Sequence, residues 1–243
     1  YKSILDFAKL KGIPVIALNI SKEITEKVSK DGIESLSGEE KQQIPKDIDY
    51  RDGTYKDRLK KIFEAHQSSK ERKFDNFYQA QLLWDETMSM SVDEFVRKNQ
   101  DYQMVVLAGT GHLQYGSGIP KRTFRRNGYD YAVILSDADV EPQVADYILF
   151  PKHMDVPFSA KLKVSLKESA GKVVIDGFHE DSLAEKAGLK EGDAIITLDG
   201  IQVESADDIR IHLLYKKKGE RVNVKVLRRI LFWSSEIEVD IIL

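Results

Sequence analysis

At 243 residues the chain is long enough for one or two domains, each with its own core. Its 42% hydrophobic and 32% charged residues are those of an ordinary globular protein. A net charge of −3 supplies no global attraction to nucleic acid or an anionic membrane, and the lack of cysteine excludes disulfides, thiolate zinc sites and thiol catalysis. No apolar run is long enough for a membrane-spanning helix, and no signal peptide is visible. The chain opens at Tyr1 inside a helix-like stretch (Ile4, Leu5, Ala8), as an excised fragment would.

Residues 1 to about 150 alternate helix-like and strand-like stretches. Pro14–Ile20 (PVIALNI) is a short continuous apolar run, the pattern of a strand buried on both faces. Ser21 then caps a helix expected through Ser29. Residues 31–53 carry Gly32, Gly38, Pro45 and Gly53 among charges and read as a long loop. Helices are expected at Tyr55–His66 and Phe74–Lys98. Met104–Ala108 (MVVLA) reads as a second buried strand, Tyr131–Leu135 as a third and Tyr147–Phe150 as a fourth. Strands alternating with helices imply parallel βαβ units. So few strands point to a parallel-sheet α/β domain incomplete at its N-terminus, over residues 1–152. Pro151 and Pro157 bracket the linker.

From Ser159 to Leu243 the punctuation changes. Val173–Ile175 and Ala194–Leu198 read as short strands. Ser182 caps a short helix, Leu183–Ala187, and Gly188 supplies a left-handed stop. Asp199-Gly200 suits a tight hairpin. Ser205 and Asp208 form a capping pair for a helix with Ile209 and Leu213 on one face, ended by Lys218-Gly219. Val222, Val224 and Val226, then Ile237, Val239 and Ile241, alternate with polar residues as half-buried antiparallel strands do. Between them, Ile230 to Trp233 is an apolar hairpin. Phe232 and Trp233 either pack on the first domain, a second copy of the chain (a homodimer) or a membrane surface, or point alternately into the core.

In order, SLAEKAGLKEGDAIITLDGIQV, a helix and VNVKVLR resemble bacterial PDZ domains. The resemblance implies a mostly β module that takes a peptide or protein segment as an added strand, here between Leu162–Leu166 and Ser205–Leu214. Leu162, Lys163, Val164, Ile209 and Leu213 are its peptide-binding candidates. The family's carboxylate loop normally presents a Gly where this chain has Lys163. An ordinary extended backbone is therefore expected there, with no preference for a free peptide C-terminus.

Chemistry in the first domain centres on VVLAGTGHLQYGSGIPKR (Val105–Arg122). A buried strand leads into a Gly-rich turn, and Gly109 and Gly111 let the backbone bend beside His112 and Tyr115. In open α/β sheets ligands sit at such strand ends. His112 is either a ligand-binding residue or a hydrogen-bonded loop histidine. On the helix Phe74–Lys98, the residues Phe74, Phe77, Gln81, Trp84 and Met88 share one face. Gln81 interrupts the stripe and Asp85 borders it; they either touch a ligand or brace the Gly-rich loop.

GTGHxxYGxGIP, with AQLLWDETM (Ala80–Met88) and IPVIALNI (Ile13–Ile20), resembles the ChaN-like haem-binding uptake proteins. Their superfamily includes Tiki-type metalloproteases and erythromycin-esterase-like proteins. The resemblance implies an iron-uptake, often lipid-anchored protein of the bacterial envelope (periplasm or outer membrane), with membrane contact only through an anchor outside these residues. It also implies haem, with His112 or Tyr115 as axial ligand. Lys121, Arg122, Arg125 and Arg126 are either propionate partners or a solvated helix face. Family members carry two GxxH motifs. Only Gly109–His112 is present, the other falling upstream of Tyr1, so haem binding by this fragment is expected to be weak or absent. A metal-dependent hydrolase would instead use His112 as a metal ligand, with Asp85 or Glu86, which face different ways, as base. No HExxH pattern accompanies it, so a binding protein is preferred and no catalytic residue is assigned. A scaffold with two protein-binding domains is the third reading.

Overall fold

The computed structural model describes residues 2–65, 73–152, 161–169, 171–230 and 233–243. The chain divides into two compact units, residues 8–153 and residues 154–243 with 1–7. The elements are helices α1 (Lys2–Lys11), α2 (Lys22–Asp31), α3 (Gly38–Gln42), α4 (Gly53–Ala65), α5 (Phe74–Lys98) and α6 (Ile119–Asn127). Strands β1 (Ile134–Ser136) and β2 (Tyr147–Leu149) follow, then β3 (Val164–Ser169), β4 (Lys172–Phe178), α7 (Leu183–Lys186), β5 (Ala194–Leu198), β6 (Ile201–Gln202), α8 (Ala206–Leu214), β7 (Arg221–Ile230) and β8 (Trp233–Ile242).

Helix α5 organises the first unit. It runs 25 residues without Gly or Pro, with Asp75 in its first turn and Arg97 and Lys98 in its last, charges that suit the helix dipole. Ala80 and Leu83 pack on Ile24, Val28 and Leu36, while Tyr78 and Leu82 pack on Tyr55 and Leu59 of α4. A third cluster, Val133, Leu135 and Val144, lies under β1 and β2, which pair in parallel from Ile134↔Tyr147 to Ser136↔Leu149.

This unit is more helical than its sequence pattern suggests. The expected third and fourth strands form the parallel pair, but Pro14–Ile20 and Met104–Ala108 belong to no strand. A strand buried on both faces requires a ladder beside it and a layer above and below. Among the described residues neither run has a paired neighbour, and Val105 is 83% exposed. Part of the expected loop 31–53 is also helical. Ser37 accepts from the Glu40 N–H, and Glu40 returns a bond from the Ser37 N–H, a capping box that starts α3.

The second unit is a six-stranded antiparallel sheet in the order β3-β4-β5-β7-β8, with β6 beside β5. Leu162, Val173, Ile175, Ile195, Leu198 and the valine series of β7 form its core with Ile209 and Leu213 of α8. Val222, Val224 and Val226 all point inward, as their alternation requires. Helix α8 begins at the expected capping box and ends at Leu214, short of Lys218-Gly219. Trp233 is 69% exposed. Leu231 and Phe232, like His66, Pro157 and Ser159, lie outside the described residues.

Asp199 and Gly200 both take positive φ between Leu198 and Ile201, the geometry of a two-residue hairpin. The Asp199 carboxylate accepts from the Asn223 N–H at 2.8 Å and meets His212 Nε2 and Lys216 Nζ at 2.7 Å. Burial alone would raise its pKa; these partners outweigh it and bring it from the ordinary 3.8 to about 2. A carboxylate depressed in the folded state contributes its stability above the unfolded value and loses it as pH falls through the folded one. Urea titrations of the full chain are therefore expected to show the second unit weakening between pH 4 and 2. Asp199→Asn should be less stable at neutral pH and lose less over that window.

Candidate haem-binding and peptide-binding sites

The polar centre of the first unit is a pair of adjacent carboxylates on α5. Asp85 and Glu86 are both 0% exposed, and successive helical residues point roughly 100° apart. Asp85 faces the Gly-rich loop. Its Oδ1 lies 2.7 Å from His112 Nδ1, and its Oδ2 accepts from the Tyr55 hydroxyl of α4, also at 2.7 Å. Burial, with the Asp85 charge added, pushes the Tyr55 hydroxyl far above its usual range, so it stays a donor. A buried carboxylate on Nδ1 fixes an imidazole's orientation and leaves Nε2 for another partner. The His112 side chain retains some exposure, and its ring packs at 5.9 Å edge-on against Trp84.

The loop's path depends on Gly118. It has φ +66, and a Cβ there would lie 2.4 Å from the His112 carbonyl oxygen and 3.1 Å from Asp85 Oδ1. Gly109 and Gly111 are not crowded in this way. A Cβ at Gly111 would meet nothing within 4 Å, and one at Gly109 would touch only the His112 ring, at 3.8 Å. Thr110–His112 and Gln114–Gly116 form single 3₁₀ turns. Tyr115 sits in the left-handed region, at φ 59. Its N–H donates to the Val144 carbonyl and its hydroxyl to Glu141, and the Glu141 bond raises its pKa. His112 and Tyr115 thus engage different elements, and no bond or ring contact joins them among the described residues. Gln81, one turn before Asp85, is half-buried with no hydrogen-bond partner among the described residues.

Glu86 faces a different way. It accepts from the Asp49 N–H at 2.9 Å and pairs with Arg122 at 3.2 Å, Arg125 at 2.8 Å and Arg126 at 2.6 Å. Arg122 is buried in this network and Lys121 is held by Asp52 at 2.8 Å. The expected propionate partners on α6 are therefore already matched by acids. A cavity of about 780 Å³ opens on this side, and its arginines, 51, 97, 125 and 126, are each bonded to a carboxylate.

Beside Tyr55 and Tyr115 lies a cation with no acid partner among the described residues, Arg58, which sequence reading missed. Its guanidinium lies 4.4 Å from the Tyr115 ring centre and 5.6 Å from that of Tyr55, and donates to Ser117 Oγ at 2.6 Å. Tyr55 was also missed. Its signal is faint: an apolar-face tyrosine on α4, whose relation to Asp85, thirty positions on, only the fold reveals.

In the second unit β3 is an edge strand of the sheet, and α8 lies beside it, with the Ala206 N–H donating to Glu168 Oε1 at 2.8 Å. Leu162, Ile209 and Leu213 are buried, and Val164 and Leu166 are half-buried against the same core. Lys163 is not extended, as its side chain led us to expect, but takes φ 56. Its carbonyl accepts from the His179 N–H, its Nζ donates to the Glu180 carbonyl, and Ser182 Oγ ties the Leu162 carbonyl. These bonds hold the lysine in the left-handed well against a cost of about 1–2 kcal/mol. The N–H groups of Leu162 and Lys163 meet no acceptor among the described residues.

The model of the family described as haem-binding uptake, Tiki superfamily, ChaN, matches residues 1–123. The chain belongs to that family. The PDZ domain model matches residues 160–240, so the ChaN-like unit is fused to a PDZ domain. A curated relative, the serine protease Do-like HtrB of Bacillus subtilis (strain 168), is 34% identical over 109 residues. That match covers 37% of this chain and 23% of the relative, so the chain spans less than a quarter of that protein. Among solved structures, the PDZ domain of the carboxy-terminal protease from Vibrio cholerae in complex with peptide is 23% identical, covering 33% of this chain and 89% of that one, with a TM-score of 0.29. The HtrA-type protease AlgW with decapeptide is 22% identical, covering 33% and 27%, also at 0.29.

Gly118→Ala is expected to lower stability by more than about 2 kcal/mol, since it adds a strained φ and a backbone collision. Urea denaturation measures the loss, and the His112 ring resonances should move with it.

Proposed function

We propose that the ChaN-like unit binds haem, which His112 would hold through its iron, and that the PDZ domain captures a peptide C-terminus. The observation that carries the first part is the 2.7 Å pairing of His112 Nδ1 with a carboxylate wholly removed from solvent. Bound haem would supply a Lewis-acidic iron that takes an imidazole nitrogen, and propionates that need cations. The residues present fit those needs. Asp85 orients the His112 ring through Nδ1 and leaves Nε2 free. Trp84, with Val105 and Leu107 exposed just before the loop, offers apolar surface. Arg58 offers a guanidinium to a carboxylate. Tyr115 is the poorer ligand, because its Glu141 bond favours the protonated phenol.

A hydrolase would use the same Asp–His pair as a general base. Among the described residues no serine or threonine hydroxyl bonds to His112, and no three His, Cys, Asp or Glu side chains gather into a metal-binding group. The binding reading is therefore preferred.

Haemin titrated into the full chain should give a Soret change at the low affinity expected from sequence, and His112→Ala should weaken that affinity at least tenfold. Unchanged affinity in that variant overturns the ligand. Arg58→Gln should narrow the preference for haemin over its dimethyl ester, and an unaltered ratio removes Arg58 from the site.

For the PDZ domain, the left-handed Lys163 replaces our expectation from sequence of indifference to a free terminus. Two N–H groups without acceptors precede the edge strand β3, where a peptide adds as a strand. Charge-assisted bonds to a carboxylate are worth roughly 1.5–3 kcal/mol each. A C-terminal peptide should bind at least tenfold more tightly as the free acid than as the amide, about 1.4 kcal/mol. Equal affinities in a fluorescence titration would argue for an internal strand as ligand.

A further inference from the structure

We propose that Tyr55 is a positioning residue for His112, acting through Asp85. Its hydroxyl holds one carboxylate oxygen so that the other stays on Nδ1 and the imidazole presents an unprotonated Nε2. The consequence for haem rests on the function proposed above, but the geometry does not.

The case begins with the carboxylate. Asp85 is the end of a short side chain whose two oxygens exchange places by a half-turn about its last bond. A single partner would leave that rotation open and let the imidazole shift with it. Here each oxygen has its own partner at 2.7 Å, and the partners come from different elements, α4 and the Gly-rich loop. The peptide backbone at Gly118 closes the space on the Oδ1 side.

Tyr55 is itself held on all sides. It is 1% exposed, packed in the cluster with Leu59, Tyr78 and Leu82. The guanidinium groups of Arg58 and Arg122 lie 5.6 and 5.3 Å from its ring centre. The Asp52 carboxylate accepts from its backbone N–H at 3.0 Å, fixing the first turn of α4 beneath it. A phenol so restrained can serve as a rigid post. Its only described hydrogen-bond acceptor is Asp85, so the hydroxyl is not needed to bond anything else in the core.

A hydroxyl on the far oxygen also selects the tautomer. With Asp85 held as a carboxylate acceptor, the neutral imidazole must place its proton on Nδ1. Without the hydroxyl, the carboxylate is free to turn and Nε2–H becomes competitive. Partners of ligating histidines typically contribute 10–100-fold to ligand affinity.

The test uses the full chain labelled with ¹⁵N-histidine, with the His112 signals assigned by their loss in His112→Ala. The wild-type chain should show one tautomer, protonated on Nδ1 and slow to exchange that proton with water. Tyr55→Phe should show mixed tautomers and faster exchange, and weaken haemin binding about tenfold. A folded Tyr55→Phe chain with wild-type tautomer and exchange overturns the proposal. Should that variant fail to fold, 3-fluorotyrosine placed at position 55 decides. This stronger donor of nearly the same size should draw charge from Asp85 and move the Nδ1–H resonance upfield, and an unmoved resonance overturns the proposal. If His112→Ala leaves haemin binding intact while the position-55 variants still change the tautomer, the haem reading falls and the positioning role stands.

Discussion

Helix α5 carries two ionisable carboxylates side by side in its buried middle, and much of the first unit is arranged around that fact. Removing a carboxylate from water costs several kcal/mol unless it is paired and hydrogen-bonded. The helix cannot help, because its own N–H groups are committed. Each acid must be met from outside, and consecutive residues look different ways, so the partners come from two directions. Asp85 is met by α4 and the Gly-rich loop, Glu86 by Asp49 and three arginines of α6. Apolar contacts on α5 would tolerate small slides and rotations. The carboxylates would not, since a shift of either strands a charge. The elements that carry the site are thereby fixed by the same interactions that orient it.

The parts of the fold legible in the sequence are those where local chemistry decides. The bounds of α5 match its uninterrupted pattern, and the second unit follows its caps, hairpin dipeptide and alternating valines. In each case one or two neighbouring residues satisfy or forbid a backbone conformation. Pro14–Ile20 and Met104–Ala108 fail for the converse reason. An apolar run reports only that it would be stable if buried; strand formation needs a partner elsewhere in the chain, which no local pattern reports. The capping box at Ser37 and Glu40 was readable, but the glycines around it drew the segment toward a loop.

Lys163 shows how a side chain can mislead about a backbone. Glycine is preferred in the left-handed well because it pays no steric cost there, not because others are barred. The deciding bonds at Lys163 come from His179, Glu180 and Ser182, sixteen or more positions away. The reverse holds at Gly118. There the space, not only the φ, requires glycine, since the His112 carbonyl and Asp85 crowd the same point.

The same distinction separates the two ligand candidates that sequence placed together. His112 and Tyr115 lie three apart, which in a helix would put them on one face. The loop is not a helix, and the positive φ at Tyr115 sends the two side chains to different elements. What they meet then sets their chemistry. A carboxylate accepting from an imidazole Nδ1–H strengthens the remaining nitrogen as a donor to a metal. A carboxylate accepting from a phenol instead stabilises the protonated form, which a metal would have to displace. Asp85 and Glu141 are the same kind of group, yet on the haem reading proposed above one prepares its partner to bind and the other holds its partner back. On that reading the choice of ligand lies with these carboxylates, Asp85 in the buried middle of α5 and Glu141 met through the turn at Tyr115.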